Sequence, residues 1–295
     1  MNDNQNMINW YPGHMAKAQR LLKDQIKRID LVIEMCDARV PLSSRNPDLV
    51  RLISQKKHLL FLNKSDLADQ KQNQAWIQYF RHLGTAAYLT DAVRIRGKET
   101  IGLIDQMTKE IVDKALEKGI RKTVRAMIVG IPNVGKSTLI NRLYGRSVTT
   151  TGDRPGVTKS NQWIKVSPYL ELLDTPGLLW PRIDDQAAAR RLCYIGCIKD
   201  EVVDTGDLTI HLLEELCSTI PDRVAERFHI RDTELRDVEL LDAVCAGRGW
   251  LIKGGQYDYD RCFSVVLDEF RAGKLGRITL ENPPESSCRE TEINE

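Results

Sequence analysis

The sequence predicts an α/β domain built on a mostly parallel sheet with helices on both faces, followed by a smaller all-helical C-terminal domain. Two observations predict it. Up to residue 183, short runs rich in Val, Ile and Leu alternate with amphipathic stretches, as a doubly wound sheet requires. From residue 184 those runs thin out and helical periodicity takes over. The expected division is 1–183 for the α/β domain with an N-terminal basic helix, 184–281 for a helical domain, and 282–295 for a disordered acidic tail.

In order along the chain, residues 15–29 read as an amphipathic helix. Met15, Ala18, Leu22, Ile26 and Ile29 share one face, and Lys17, Arg20, Lys23 and Lys27 another. That basic face is either plainly solvated or turned to RNA. "LVIEMCDAR" (31–39) and "HLLFLNKSD" (58–66) each read as a buried strand running into a polar loop, and "AAYL" (86–89) as a shorter one. Helical stretches lie near 46–55, 72–83 and 101–118. "VRAMIVG" (124–130) is a buried strand that ends in a glycine turn and leads into the helix "KSTLINRLYG"; "QWIKV" and "LELLD" are two further strands. "DDQAAARRLCYIG", "TIHLLEELCSTI" and "LRDVELLDAVCAGRG" supply the helices of the second domain, and "DYDRCFSVVLDEFRAGKLG" its last. "ENPPESSCRETEINE" is polar, acidic and proline-bearing, a composition that does not build a core.

With 295 residues, 42% apolar and 28% charged, the chain has the composition of a soluble globular protein. No apolar run approaches the roughly 18–20 residues of a membrane span, and the N-terminus has neither signal nor transit character, so a cytoplasmic protein without membrane contact is expected. A monomer is expected in solution. The seven cysteines form no CxxC pair and read as buried thiols. The net charge of +2 conceals a split: residues 1–199 carry 32 Lys and Arg against 19 Asp and Glu, and the remainder 11 against 22. The basic part suits an acidic partner such as RNA. In the acidic part, Arg248, Lys253, Arg261, Arg271, Lys274 and Arg277 are either a local RNA patch or salt-bridge partners of Asp258, Asp260, Asp268 and Glu269. Trp10, Trp180 and Trp250 read as core or interface fillers.

"GIPNVGKS" (130–137) satisfies G-x-x-x-x-G-K-[ST] between a strand and a helix. Its backbone N–H groups can cradle phosphates. Asn133, Val134, Gly135, Lys136, Ser137 and Thr138 form the phosphate-facing stretch, with Lys136 reaching the β- and γ-phosphates and Ser137 a ligand for Mg²⁺. Asp174 of "DTPG" ends a strand, where it can hold Mg²⁺, and the Gly177 N–H can meet the γ-phosphate. Thr158 of "PGVT" can complete the Mg²⁺ shell; Thr149, Thr150 and Thr151 are alternatives. "NKSD" (63–66) moves the purine from adenine to guanine. Asp66 can accept from guanine N1–H and N2–H, Asn63 can bond the other edge, and the Lys64 stem can lie on the ring. GTP and GDP are therefore the expected ligands, and a phosphate-loop kinase is disfavoured.

The motif order, "NKSD" before "GIPNVGKS", "PGVT" and "DTPG", is that of a circularly permuted P-loop GTPase. With "WYPGHMAKA", "DARVP", "GDRPGVTK", "DTPGLLWP" and "KGGQYDYDR…FRAGKLGRITLENP", the chain resembles, over nearly its whole length, the ribosome biogenesis GTPase A family, also called YlqF. The resemblance implies a GTPase that acts late in maturation of the large ribosomal subunit, with RNA binding by the helical domain 184–281 and with the subunit precursor (rRNA and ribosomal proteins) as partner. Slow hydrolysis alone and stimulation by the particle are expected. The alternative is a GTPase switch in another RNA-related pathway such as tRNA modification. Likeness to related GTPases also implies K⁺ at Asn133. The guanine O6 loop departs from the usual pattern, and Thr90, Asp91 and Ala92 are assigned to it. Leu178 stands where many GTPases place a glutamine that orients water, and His14 is the candidate to replace it.

Overall fold

Two seven-residue strands, β1 (Leu31–Asp37) and β2 (Lys57–Asn63), pair in parallel at the centre of the molecule, and every residue of β1 is buried. A strand buried along its whole length is stable only with both faces covered. Leu59 and Phe61 of β2 point into the larger core; Leu60 and Leu62 point the other way, against Trp76 and Phe80 of α3 (Gln70–His82). The interior carboxylate of Glu34 is met by Arg45, with Nη2 to Oε2 at 2.7 Å. The remaining strands are β3 (Ala86–Leu89), β4 (Val124–Val129), β5 (Gln162–Ser167) and β6 (Leu170–Asp174).

The computed structural model describes residues 13–147, 149, 162–180 and 183–284, and for 13–19 the backbone alone. Its sheet runs β3-β2-β1-β4-β6-β5, parallel throughout except for the edge strand β5. The chain runs outward from β1 to β3, then returns to place β4 on the other side of β1. That reversal opens a crevice beyond the carboxyl ends of β1 and β4, where ligands of open α/β sheets sit. Asp37, Asn63, Val129 and Asp174 are the final residues of their strands and stand along this one edge. α1 (Gly13–Ile26), α2 (Pro47–Ile53), α4 (Gly97–Leu116) and α5 (Lys136–Tyr144) complete this unit. Leu22 and Ile26 bury the apolar side of α1, while Arg20, Lys23 and Lys27 are exposed.

Among the described residues, five α-helices follow: α6 (Gln186–Tyr194), α7 (Thr205–Thr219), α8 (Pro221–Phe228), α9 (Asp237–Arg248) and α10 (Tyr259–Arg271). Leu208, Leu212 and Leu216 of α7 share a core with Phe228 of α8, Val244 of α9 and Phe270 of α10. α8, with proline in its first turn, is not among the helices read from the sequence; its eight residues are too few to show a repeat. After α10 the described residues, to Pro284, are not helical. They run back along the α/β unit, with Ile278 N–H donating to Leu67 O (2.9 Å) and Leu280 N–H to Arg39 O (2.8 Å). The Trp76 indole donates to Glu281 O, and the Glu281 carboxylate accepts from Leu42 N, Ser43 N and the Ser43 hydroxyl.

Of the basic residues read as a patch, Arg271 is committed inward. It pairs with Asp200 at 2.7 Å and donates to the carbonyls of Cys193 and Tyr194. Arg248 and Arg261 lie over the buried ring of Trp250. The six described cysteines are buried and unpaired by disulfide. Among the described residues, no helix is long and apolar enough to cross a membrane.

Candidate nucleotide site

The loop between β4 and α5 wraps tightly because two residues take left-handed backbone: Asn133 (φ 59°) and Gly135 (φ 95°). A β-carbon at Gly135 would collide with the side-chain amide of Asn63. Lys136 opens α5 with its side chain turned back and buried; Nζ donates to Gly130 O (3.1 Å) and Ile131 O (2.7 Å). Burial pushes its pKa down to about 8, against the opposing pull of Asp174. Ser137 Oγ lies 3.4 Å from Asp174 Oδ2. Asp174 Oδ1 is buried without a hydrogen-bond partner among the described residues, and desolvation raises the pKa of that carboxyl.

The loop after β2 is laced to both neighbours through one side chain. Asn63 Nδ2 donates to Val134 O in the phosphate loop (2.8 Å), and Asn63 Oδ1 accepts from Ala92 N (2.8 Å) and Thr90 Oγ1 (3.3 Å). Ser65 adds two bonds to Thr90 O. Lys64, Asp66, Asp91, Ala92, Asn133 and Thr138 line a common cavity of about 850 Å³. Its far wall belongs to the helical unit: Ile195, Gly196, Asp268, Arg271 and Ala272.

"DTPG" rests on the phosphate loop. Thr175 Oγ1 donates to Ile128 O (2.7 Å) and Leu178 N to Gly130 O (3.2 Å). A β-carbon at Gly177 would lie 2.5 Å from Pro132 N, so this approach excludes any other residue. Leu178 and Leu179 are buried, and Asn46 Nδ2 holds Leu178 O at 3.0 Å. The helical unit touches the phosphate loop directly: Asn133 Nδ2 donates to Gly196 O (2.5 Å), and Cys197 Sγ lies 2.8 Å from Pro132 O.

A loop that can wrap phosphates, an Asn-Lys-Ser-Asp loop laced to it and an acid at the next strand end form one constellation, and comparisons with known proteins agree with it. Over 281 residues the chain is 47% identical to Ribosome biogenesis GTPase A of Bacillus cereus, covering 95% of both. The chain belongs to the ribosome biogenesis GTPase A family. The Thermotoga maritima member is 30% identical over 276 residues, covering 94% of this chain and 95% of its own length. Mitochondrial ribosome-associated GTPase 1 of Mus musculus is 33% identical over 318 residues, covering 96% and 92%. The family model described as "50S ribosome-binding GTPase" matches residues 125–242. Among solved structures, GNP-bound YlqF from Thermotoga maritima superposes with a TM-score of 0.66 at 27% identity, over 91% of this chain and 99% of that one. GDP-bound YlqF superposes with a TM-score of 0.67 at 27% identity, over 90% and 99%.

The structure brings Asn63, Lys64, Asp66, Thr90, Asp91, Ala92, Asn133, Val134, Gly135, Lys136, Ser137, Thr138, Asp174 and Gly177 to one edge of the sheet. Thr158 lies outside the described residues. His14 falls in the first turn of α1, and its side chain lies outside them. Sequence reading missed Asp37 and Arg39 beside Lys64, and Gly196 and Cys197 on the phosphate loop. For the first pair the signal was present: "DARVP" ends a strand next to the one that ends in "NKSD". For Gly196 and Cys197 there was none, because they come from another unit.

Proposed function

We propose that this protein binds GTP and GDP in the crevice at the carboxyl edge of the sheet and hydrolyses GTP in the late assembly of the large ribosomal subunit. One observation carries the reading: the likeness to ribosome biogenesis GTPases covers 94–95% of the chain, helical unit included, and not the nucleotide-binding half alone. Asp66 and Lys64 read the guanine, with Asn63 holding their loop against Val134 and Ala92. The buried Lys136, drawn off its two carbonyls by phosphate, would meet the β- and γ-phosphates. Ser137 and Asp174 fit a divalent cation, since Asp174 offers a buried oxygen with no partner beside a hydroxyl. With Thr158 they would hold Mg²⁺, which when bound offsets phosphate charge. Asn133, whose amide nitrogen is committed to Gly196 O, would turn its amide oxygen to K⁺.

The buried Leu178 cannot orient water. His14 takes that role in this reading, on a segment that docks with the particle. The protein is a monomer acting in the cytoplasm, slow alone and activated by the precursor particle. Unassisted GTPases turn over at roughly 10⁻⁴ s⁻¹, and an activator adds up to about 10⁵-fold. One assay tests the reading: GTP hydrolysis with and without immature large subunits, in potassium and in sodium at matched ionic strength, for the parent and His14→Ala. Stimulation by the particle, a higher rate in potassium, and loss of stimulation in His14→Ala with binding intact are expected. No stimulation by the particle refutes the assembly role. Equal rates in the two salts refute K⁺, and unchanged stimulation in the variant refutes His14.

A further inference from the structure

"DARVP" has no part in the chemistry described so far, yet it lies against the guanine-reading loop. Asp37 is the last residue of β1 and is fully buried. Its carboxylate takes two cations. Arg39 approaches side-on, with Nε to Oδ1 at 2.9 Å and Nη2 to Oδ2 at 2.8 Å. Lys64 Nζ lies 3.1 Å from Oδ2.

The bidentate guanidinium already balances the buried carboxylate. The second cation is therefore not needed for neutrality, and its presence asks for another reason. Lys64 supplies one. It holds φ 58°, a conformation that costs a non-glycine residue energy and persists only where the surroundings impose it. Its stem runs along the cavity that Asp66 also lines, and its ammonium ends on Asp37. Asp37 in turn is held from behind. Arg39 Nη1 donates to the carbonyls of Phe270 and Arg271 at 3.3 Å each, at the C-terminal end of α10, and its guanidinium lies 5.2 Å from the Phe270 ring centroid.

We propose that Asp37 is a positioning residue for guanine recognition: its carboxylate anchors the Lys64 ammonium and so fixes the Lys64 stem against the face of the base. The proposal rests on the assignment of "NKSD" as the base-reading loop. A long side chain with four rotatable bonds lies unused on a base unless its end is tethered, and preorganisation of this kind raises affinity without adding any group that touches the ligand.

The test measures GDP affinity by calorimetry, with a thermal melt as folding control, for full-length Asp37→Asn, Lys64→Met, Lys64→Ala and the double variant Asp37→Asn/Lys64→Met. Lys64→Met keeps the apolar stem and loses only the tethered end. Asp37→Asn and Lys64→Met are each expected to weaken GDP about tenfold, and the double variant no more than either alone, since both cut one tether. Additive losses, or parental affinity in Lys64→Met, would overturn the proposal. Should Asp37→Asn not fold, Lys64→Met against Lys64→Ala still decides: the proposal needs Met to lose most of what Ala loses. If Lys64→Ala binds GDP as the parent does, it is the base-reading assignment that fails.

Discussion

In the proposed reading, Asp66 recognises guanine by accepting two hydrogen bonds. Asp66→Asn presents a donor to the N1–H and N2–H donors of guanine, and an unpaired buried group costs about 1–3 kcal/mol. The variant is expected to lose GTP affinity by at least about tenfold and to gain xanthosine triphosphate, whose 2-oxo group accepts where guanine donates. Competition binding with the two nucleotides reads this directly, and equal GTP affinity in variant and parent refutes it. Lys136 makes a second, pH-dependent statement. Burial lowers its pKa to about 8. Phosphate oxygens favour the charged form and raise it. A group whose pKa rises on binding takes up a proton wherever the free form has lost it, so affinity must fall as pH climbs through the free value. From about pH 7 to about pH 9 the association constant for GDP should drop roughly tenfold. Calorimetry in two buffers of different ionisation heat should show net proton uptake above about pH 8, and no uptake there refutes the lowered pKa.

Between elements, the decisive approach is that of "DTPG" to the phosphate loop. Gly177 sits where a β-carbon would lie 2.5 Å from Pro132 N and 2.6 Å from Pro132 Cα, both backbone atoms that cannot swing aside. Gly177→Ala must push the two loops apart, moving the Gly177 N–H and displacing Asp174 from Ser137. Hydrolysis and GTP affinity are expected to fall at least about tenfold while GDP affinity stays within a few-fold, because the proposed reading turns the displaced loop to the γ-phosphate. Stopped-flow binding of both nucleotides checks it, and equal losses for GDP and GTP refute it. These elements were legible in the sequence for a physical reason. β1, β2 and β4 are buried over most of their length on both faces and so read as short, largely apolar runs, and each ends in a motif. Local chemistry also marks the phosphate loop, where glycine and asparagine take φ values that most residues avoid. The bonds of Asn63 to Val134 and Ala92 could not be read, because they join segments about thirty and seventy residues apart. Nor could the end of the second unit: "RITLENP" has no periodicity, and its order comes from main-chain bonds to Leu67 and Arg39.

Across the whole molecule, charge is divided unevenly along the chain. The first 199 residues carry 32 basic against 19 acidic side chains, and the last 96 carry 11 against 22, with Arg271 turned inward to Asp200. A polyanion should therefore meet the α/β unit first, and α1 with the turn after it offers Arg20, Lys23 and Lys27 in exposed positions beside the buried Leu22 and Ile26. Pairing of such side chains with phosphates releases counterions, so the logarithm of the binding constant falls linearly with the logarithm of salt concentration. Replacing Lys23 and Lys27 together with Gln is expected to leave folding unchanged, since neither forms part of the core. It should weaken association with the precursor particle and reduce the salt slope by about one unit for each phosphate no longer neutralised. Co-sedimentation across a potassium chloride series, with the nucleotide held constant, measures both. A slope that stays at the parental value assigns the basic side of α1 to solvent, and a parent whose association ignores salt makes the partner surface protein in place of RNA.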